Sequence, residues 1–461
     1  MNLRRAMRWA LCGAGGVLLT SPAFAQQTST PVVSDQVWLR DSRLTAGPGI
    51  RTDRWIISPG VSAAFGYDSN LYLRADTPEA PVADAFKLTL TPFVTFATRA
   101  PADGAKPSYA FSALASASYY RYFKGTKTTS DDVAASSDFG TLASATLTFA
   151  PGQRWSGDIH GGIIRSIQPS NLGDTSASYN RDIPSVGAGI QWAPGGGLFT
   201  WRLGYDLSYQ YFEKAAFQDY NLFTHTVGST ASWRFLPRTS LFSDSRLSFL
   251  RYTSSTTPQA NGEAVSTRVG LNGLVTNAFG FLVAGGWAST FFNQHGAQQD
   301  DFDSFVAQAE ARFYLTAPPR KDDEPGLYPT TLAFGYLRDW SQSFIGNFYQ
   351  RDRGYANLAY FFNGQVLATL GGGVSRLHFP STVFADGTFR AAPFNNTEVD
   401  VTLFTEYRPN PHIGINVTGA YSQMLSDTKL PTTQTAAGAA QPTQDLRWKK
   451  LEATLGVRYL F

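Results

Sequence analysis

Residues 199–211 read Phe199-Thr200-Trp201-Arg202-Leu203-Gly204-Tyr205-Asp206-Leu207-Ser208-Tyr209-Gln210-Tyr211 and alternate in polarity at every step. Odd positions carry large apolar or aromatic side chains, whereas even positions carry polar, charged or glycine residues. Successive side chains of a β-strand point to opposite faces, so this stretch predicts a strand with one apolar and one polar face. Its length is sufficient for a tilted strand that crosses a bilayer, which needs roughly 9–11 residues.

The same alternation recurs along most of the chain, for example at 86–96, 139–149, 265–275, 305–315, 399–407 and 451–461. Short connections rich in Gly, Pro and Asn alternate with longer polar segments, and we count eight of the first kind and nine of the second. This pattern predicts an all-β fold, a transmembrane antiparallel up-and-down β-barrel of about 18 strands over residues 54–461. Weak alternation at 240–252 and 344–362 leaves 16 or 20 strands open. A propeller is disfavoured because no blade motif recurs.

The first residues have the pattern of a secretory signal peptide. Arg4, Arg5 and Arg8 precede an apolar segment at 9–19, and Ala23-Phe24-Ala25 forms a cleavage site. We therefore predict a signal peptide at 1–25, a polar periplasmic lead-in at 26–53, and an outer-membrane location. The single cysteine, Cys12, lies within the predicted signal, so the mature chain would form no disulfide.

Composition excludes some partners. The chain has 38 Lys and Arg against 35 Asp and Glu, and removing the three signal arginines balances the two classes at 35 each. A neutral mature chain argues against a nucleic-acid partner. Mean hydropathy is −0.19 despite 34 Phe and 21 Tyr, as expected where only every second residue meets lipid.

Strand parity assigns side chains to the two faces of the predicted wall. Aromatic residues next to the short turns are expected in a girdle at the membrane interface; these are Trp155, Trp192, Trp201, Trp233, Phe313 and Tyr407. Charged residues of the opposite parity are expected to line the lumen: Asp158, His160, Arg202, Asp206, Glu310, Arg312, Asp400, Glu406, Glu452 and Arg458. The simplest interpretation is that they brace the wall through ion pairs. The alternative is a selectivity surface for a hydrophilic solute or polymer.

The C-terminus ends on alternating apolar residues, Leu455, Val457, Tyr459 and Phe461. This ending resembles the β-signal by which the bacterial barrel-assembly machinery recognises its substrates, and it implies that machinery as a partner. A last strand that pairs with the edge of another sheet needs such a pattern.

Catalytic and metal sites are not indicated by the sequence. Ser156, Asp158 and His160 share a face, but residues two apart on one strand extend in parallel and nothing identifies an activated nucleophile. Paired histidines and metal-ligand spacings are missing as well. We predict no cofactor and no enzyme activity.

Two segments resemble the β-barrel porin 2 family of outer-membrane proteins. Residues 61–74 contain Gly66-Tyr67-Asp68-Ser69-Asn70 followed by Arg74, and residues 349–361 contain Arg351-Asp352-Arg353 before a strand that ends in Tyr360-Phe361. Some members of that family are associated with exopolysaccharide export, which implies a conduit for polysaccharide and a partnership with export components. The family pattern supplies no catalytic or binding residue.

These observations lead to one functional hypothesis and two alternatives. The leading hypothesis is a passive outer-membrane pore or export conduit for hydrophilic solutes, with exopolysaccharide as the solute class that the resemblance implies. The first alternative is a scaffold barrel with a filled lumen that anchors an envelope assembly. An enzyme in the lumen or at the surface is the third.

Overall fold

The computed structural model describes residues 48–77, 82–99, 106–126, 132–167, 180–254, 260–293, 301–315, 330–343, 348–362, 365–383, 389–431 and 443–461. Within them, eighteen antiparallel strands form a closed β-barrel, which confirms the predicted fold class and the preferred strand number. The predicted signal peptide and all but the last six residues of the predicted lead-in lie outside the described residues. Ile50–Arg51 adds a short pairing along the first wall strand.

The wall strands are numbered in chain order and are long enough to cross a bilayer when tilted. They are β1 Trp55–Asp68, β2 Ala85–Thr98, β3 Tyr109–Lys124, β4 Asp138–Phe149, β5 Trp155–Ser166, β6 Arg181–Trp192, β7 Phe199–Phe212, β8 Leu222–Leu236, β9 Thr239–Tyr252, β10 Gly262–Leu274, β11 Phe279–Phe292, β12 Phe302–Tyr314, β13 Thr331–Gln342, β14 Phe348–Phe362, β15 Val366–Phe379, β16 Phe394–Asn410, β17 Ile413–Leu425 and β18 Trp448–Leu460.

Each wall strand pairs with its neighbours in sequence, and the last strand returns to the first. β1 and β18 pair from Gly60 opposite Leu460 to Asp68 opposite Glu452, which closes the barrel. Closure leaves neither β1 nor β18 as a free edge of the wall, as is required of a β-structure that spans a bilayer. The strand number is even, so the first strand begins and the last strand ends at the same rim, here called the terminal rim. The opposite one is called the loop rim.

Short connections lie at the terminal rim and use backbone conformations that favour glycine. Between β6 and β7, Gly195, Gly196 and Gly197 have φ of 66°, 69° and 92°. Longer segments at the loop rim include a one-turn helix, Asp132–Ala135, and a small hairpin of Lys429–Pro431 with Thr443–Asp445. Among the described helices, none has the length and apolar character to cross a membrane.

Alternation in the sequence corresponds to alternation in burial. On β7, Leu203 and Tyr205 are exposed on the outer surface, whereas Gly204 and Gln210 are buried on the inner one. The outer surface therefore carries an apolar band, and the polar side chains of each strand collect inside.

Two prolines interrupt the ladder locally. Pairing lapses between β2 and β3 at Thr91-Pro92 and between β6 and β7 at Ile183-Pro184, in each case for two residues and without a change of register. Proline has no N–H to donate, so one side of its strand cannot pair there. The ladder resumes after each interruption, and the wall stays closed.

Candidate functional site

The inner surface carries charged side chains that reach across an intervening strand. Asp158 and His160 project from β5, and Arg202 and Asp206 project from β7. His160 lies between two carboxylates, with Nδ1 2.8 Å from Asp158 Oδ2 and Nε2 2.6 Å from Asp206 Oδ1. Arg202 donates from Nη2 to Asp158 Oδ2 at 2.9 Å. The structure thus joins four residues that the sequence had placed on the lumen face separately.

Glycines on β6 allow the side chains of β5 and β7 to meet across that strand. A Cβ atom added at Gly187 would lie 2.4 Å from both Asp206 Oδ1 and His160 Nε2, and one added at Gly189 would lie 2.4 Å from Arg202 Nη2. In real proteins a Cβ atom essentially never approaches a non-bonded heavy atom this closely. The side chains of β5 and β7 therefore meet over β6 because β6 presents no side chain at those two positions.

The same arrangement recurs on the other side of the barrel. Arg353 of β14 binds Asp400 of β16 through two hydrogen bonds, of 2.5 Å and 2.8 Å, and a Cβ at Gly373 of β15 would lie 2.8 Å from the guanidinium carbon. Glu406 of β16 likewise binds Arg458 of β18 over Gly414 of β17. Planar guanidinium groups suit such two-point contacts with carboxylates.

Glu310 and Arg312 form a further group on β12. Arg312 donates to Glu310 at 2.5 Å, and Tyr355 of β14 donates its hydroxyl to the other carboxylate oxygen at 2.8 Å. Here too the strand between them contributes a glycine, because a Cβ at Gly335 would lie 2.2 Å from the Tyr355 ring.

Another group of ion pairs joins the last strand to β1 and β2. Glu452 of β18 binds Lys87 of β2, and Lys450 of β18 binds Asp68 of β1 at 2.6 Å. All four side chains are buried or nearly so, with Lys87 and Glu452 exposed by only 5% and 3%. The group ties the two ends of the chain together where the barrel closes.

Sequence reasoning did not place several of these partners in the lumen, among them Lys87, Arg353 and Tyr355. All three have the parity of the lumen face on their strands, so the alternation already carried the signal. The alternation could not identify which residue each of them binds, since Lys87 and Glu452, for example, are 365 residues apart in sequence.

Exposure inside the barrel is uneven. On β15–β18 and β1–β3 most of the inward side chains are buried, and Ser62, Ser375, Glu406 and Arg458 are at most 2% exposed. On β5–β7 the inward charges keep more contact with solvent, with Arg202 35% and Asp206 52% exposed. The solvated part of the lumen therefore runs along the strands near β5–β7, and the opposite face is filled.

The lumen groups contain no recognisable catalytic arrangement in the described chain. His160 bridges two carboxylates and makes no hydrogen bond to Ser156, so nothing there activates the serine hydroxyl. Among the described residues, no group of three or more His, Cys, Asp or Glu could hold a metal ion.

At the loop rim, the hydrogen bond from Arg447 lowers the pKa of the Asp445 carboxyl.

Aromatic residues of the predicted girdle lie on the outer surface at the terminal rim. Trp155 stacks on Trp192 at 5.9 Å between ring centroids, and Trp192 meets Phe199 edge-on at 5.8 Å. The Trp201 indole donates to Ser229 Oγ at 3.0 Å. Trp155, Trp233, Phe313 and Tyr407 are exposed.

The predicted assembly signal forms the closing strand. Leu455, Val457, Tyr459 and Phe461 are all exposed on the outer surface, and Tyr459 and Phe461 pack edge-on at 4.7 Å. Phe461 also donates its backbone N–H to Pro59 O at 3.0 Å, so β1 holds the end of the chain.

The comparisons with known proteins found matches among solved structures. No family model matches the chain, and no curated protein does. The FrpB iron transporter of Neisseria meningitidis (F5-1 variant, apoprotein) is 6% identical with a TM-score of 0.47, over 90% of this chain and 82% of that one. OpdQ of Pseudomonas aeruginosa is 9% identical with a TM-score of 0.44, over 88% and 97%. OpdK of Pseudomonas aeruginosa, solved with vanillate, is 10% identical with a TM-score of 0.45, over 88% and 99%.

Proposed function

We propose that this protein is an outer-membrane β-barrel that forms a passive pore or export conduit for hydrophilic solutes. The observation that carries the proposal is the combination of a closed eighteen-strand wall, an apolar outer surface and inward charges that keep contact with solvent along β5–β7. Barrels of 16–18 strands are wide enough to leave an aqueous channel. Acidic and basic side chains are mixed within the lumen groups, which argues against a strong preference for anions or cations.

Exopolysaccharide is the solute class that we favour, together with a partnership with polysaccharide export components. Its support is the resemblance of residues 61–74 and 349–361 to the β-barrel porin 2 family. A surface of paired charges and hydroxyls suits a neutral or weakly charged sugar polymer, because such a surface offers hydrogen bonds without a dominant field. Export through the inner membrane by a signal peptide at 1–25 and insertion by the barrel-assembly machinery through residues 455–461 belong to the same proposal.

Single-channel conductance of the refolded mature chain in a planar bilayer tests the proposal. We expect stable conductance steps, because the solvated strip along β5–β7 offers a water path. A silent bilayer, with insertion shown by heat-modifiable gel mobility, would contradict an open pore.

A scaffold barrel is the second candidate, and one observation favours it. Most inward side chains of β15–β18 and β1–β3 are buried, as in a barrel whose lumen is filled. A filled lumen would give the silent bilayer described above while leaving insertion intact, so the same experiment separates the two candidates.

A further inference from the structure

A cavity of about 180 Å³ lies in the half of the lumen nearer the loop rim, between strands β6–β10 and strands β12–β13. Hydroxyl groups are the most frequent polar groups of its lining, and they come from Ser208, Thr224, Thr226, Ser248, Ser266 and Ser341. Two amides, those of Gln210 and Gln342, line it as well. Hydroxyl and amide groups both donate and accept hydrogen bonds, so the cavity suits a ligand that carries many hydroxyls of its own.

Three of these hydroxyls, on Ser208, Thr224 and Ser266, are available to a ligand. Ser208 lies directly opposite Thr224 in the pairing of β7 with β8, and Ser266 lies on β10, two strands away from β8. Within the described chain none of the three hydroxyls makes a hydrogen bond, whereas Thr226 and Ser248 bond each other at 3.0 Å. Water satisfies such groups in an empty site, and a sugar hydroxyl can replace that water without loss of hydrogen bonds.

Charged side chains at the cavity are engaged with one another. All five charged residues of the lining have partners of opposite sign: Asp244 with Arg246 and Arg268, Asp339 with Arg351, and Arg338 with Asp352. Asp244 lies 3.2 Å from Arg246 and 2.8 Å from Arg268. An acidic ligand would have to compete with these carboxylates for the arginines that hold them, so the arrangement favours a neutral ligand over a charged one.

Trp340 contributes an aromatic surface to the lining. Its indole packs against Phe302 at 5.5 Å between ring centroids, and Phe302 packs in turn against Phe348 at 5.2 Å. These contacts hold the indole in place at the side of the cavity. A sugar ring has C–H groups on its faces and hydroxyls around its edge, so one face can lie on an indole while the edge meets hydroxyl-bearing strands.

We propose that this cavity is a subsite for a neutral sugar residue of a glycan, which lies against the Trp340 indole and bonds through its hydroxyls to Ser208 and Thr224. The subsite rests on the proposed function, because it takes the lumen as the path of the solute. It deepens that function by naming a neutral glycan as the substrate class. A glycan with a carboxylate on every residue is disfavoured at this site by the paired charges around it.

Protection of a cysteine against a thiol reagent tests the subsite. The mature chain would contain no cysteine, so Ser266→Cys places a single thiol in the cavity, and Ser144→Cys places one on the lumen face of β4, outside the cavity. Each refolded variant is labelled with a small water-soluble maleimide in the presence of maltohexaose or mannohexaose, which are neutral, or of hexagalacturonate, which is acidic. We expect a neutral hexasaccharide to slow labelling severalfold at position 266 and not at position 144, and hexagalacturonate to slow neither.

Three results would overturn the subsite. The first is labelling at position 266 that neither neutral hexasaccharide slows. The second is equal slowing at positions 266 and 144, which would mean that the sugar fills the lumen without a local site. The third is slowing by hexagalacturonate as strong as that by the neutral sugars, which would contradict a neutral ligand.

Two matched substitutions show whether the protection comes from this cavity. Thr224→Val removes a hydroxyl that the sugar is proposed to bind, and Thr146→Val makes the same change on the lumen face of β4. In the Ser266→Cys background, we expect Thr224→Val to weaken the protection severalfold and Thr146→Val to leave it unchanged. Heat-modifiable gel mobility shows that both variants fold. Equal protection in the two variants would contradict the role of Thr224.

The labelling experiment also separates the subsite from the proposed function. Labelling in detergent needs no conductance, so protection at position 266 in a barrel that is silent in a bilayer would contradict the open pore alone. Labelling without protection, or labelling at position 144 but not at position 266, would contradict the subsite alone. No labelling at either position would show a closed lumen and would contradict both.

Discussion

Leu203 and Ser208 lie on the same strand but on opposite faces of the wall. Leu203 is 39% exposed on the outer surface, whereas Ser208 lines the lumen cavity. We expect Leu203→Arg to lower the free energy of unfolding by about 2–4 kcal/mol, because an arginine on the lipid face near mid-strand is poorly solvated. Ser208→Arg should be tolerated, since its guanidinium enters a polar cavity. Urea unfolding of the refolded protein measures both, and equal damage from the two changes would contradict the face assignment.

Arg353 and Asp400 form an ion pair in which the carboxylate is buried, so they test the cost of leaving a buried charge without its partner. Asp400 is almost fully buried, and Arg353 holds both of its carboxylate oxygens. Arg353→Met leaves that carboxylate buried without its guanidinium, so we expect a loss of roughly 3–5 kcal/mol in unfolding free energy. The matched control is Arg353→Met/Asp400→Leu, which removes both charges and should recover much of the loss. A double variant as unstable as the single one would mean that the lost packing of Arg353, and not the stranded charge, is responsible.

At the scale of the element, glycines on the strands between charged partners decide which groups meet. Gly187 and Gly228 both face the lumen, but an added Cβ would meet His160 and Asp206 at the first position and nothing within 4 Å at the second. Glycine to alanine alone tends to stabilise a compatible position by roughly 0.4–1 kcal/mol through the unfolded chain. We therefore expect Gly228→Ala to raise the unfolding free energy and Gly187→Ala to lower it by separating His160 from Asp206. Changes of the same sign in urea unfolding would contradict this role for Gly187.

The strands could be predicted from sequence because each residue of a bilayer-spanning strand must suit either lipid or lumen. That constraint acts on every position, so the alternation in 199–211 was sufficient to define β7, and the turns were sufficient for the count of eighteen. The sequence constrains less strongly where two neighbouring strands pair with each other. Phe305 is exposed and Val306 is buried, as successive residues of a paired strand are, although β12 has already parted from β13 there. Ion pairs such as Lys87 with Glu452 were equally hidden, since parity gives the face of a residue and not the residue across from it.

At the scale of the whole molecule, the inner surface divides into a solvated strip and a filled face. Side chains on β5–β7 keep contact with solvent, whereas those on β15–β18 and β1–β3 do not. An eighteen-strand barrel would leave a wide channel if its lumen were empty. Because one face is filled, the water path is narrower than the strand number alone implies, and the charges that an ion would encounter are those of the strip.

Ion selectivity should therefore respond to charge in the strip and not to charge on the filled face. Asp206 is 52% exposed and Asp400 is 6% exposed, although both are lumen-facing carboxylates with a cationic or histidine neighbour. We expect Asp206→Lys to shift the reversal potential of the pore, measured across a salt gradient in a planar bilayer, towards anions, because field lines concentrate in a narrow low-dielectric path. Asp400→Asn also removes a negative charge but should leave the reversal potential unchanged, and its effect should appear instead as lower stability in urea. The opposite result, a larger shift from Asp400→Asn than from Asp206→Lys, would place the conducting path along β14–β16 and contradict the division of the lumen.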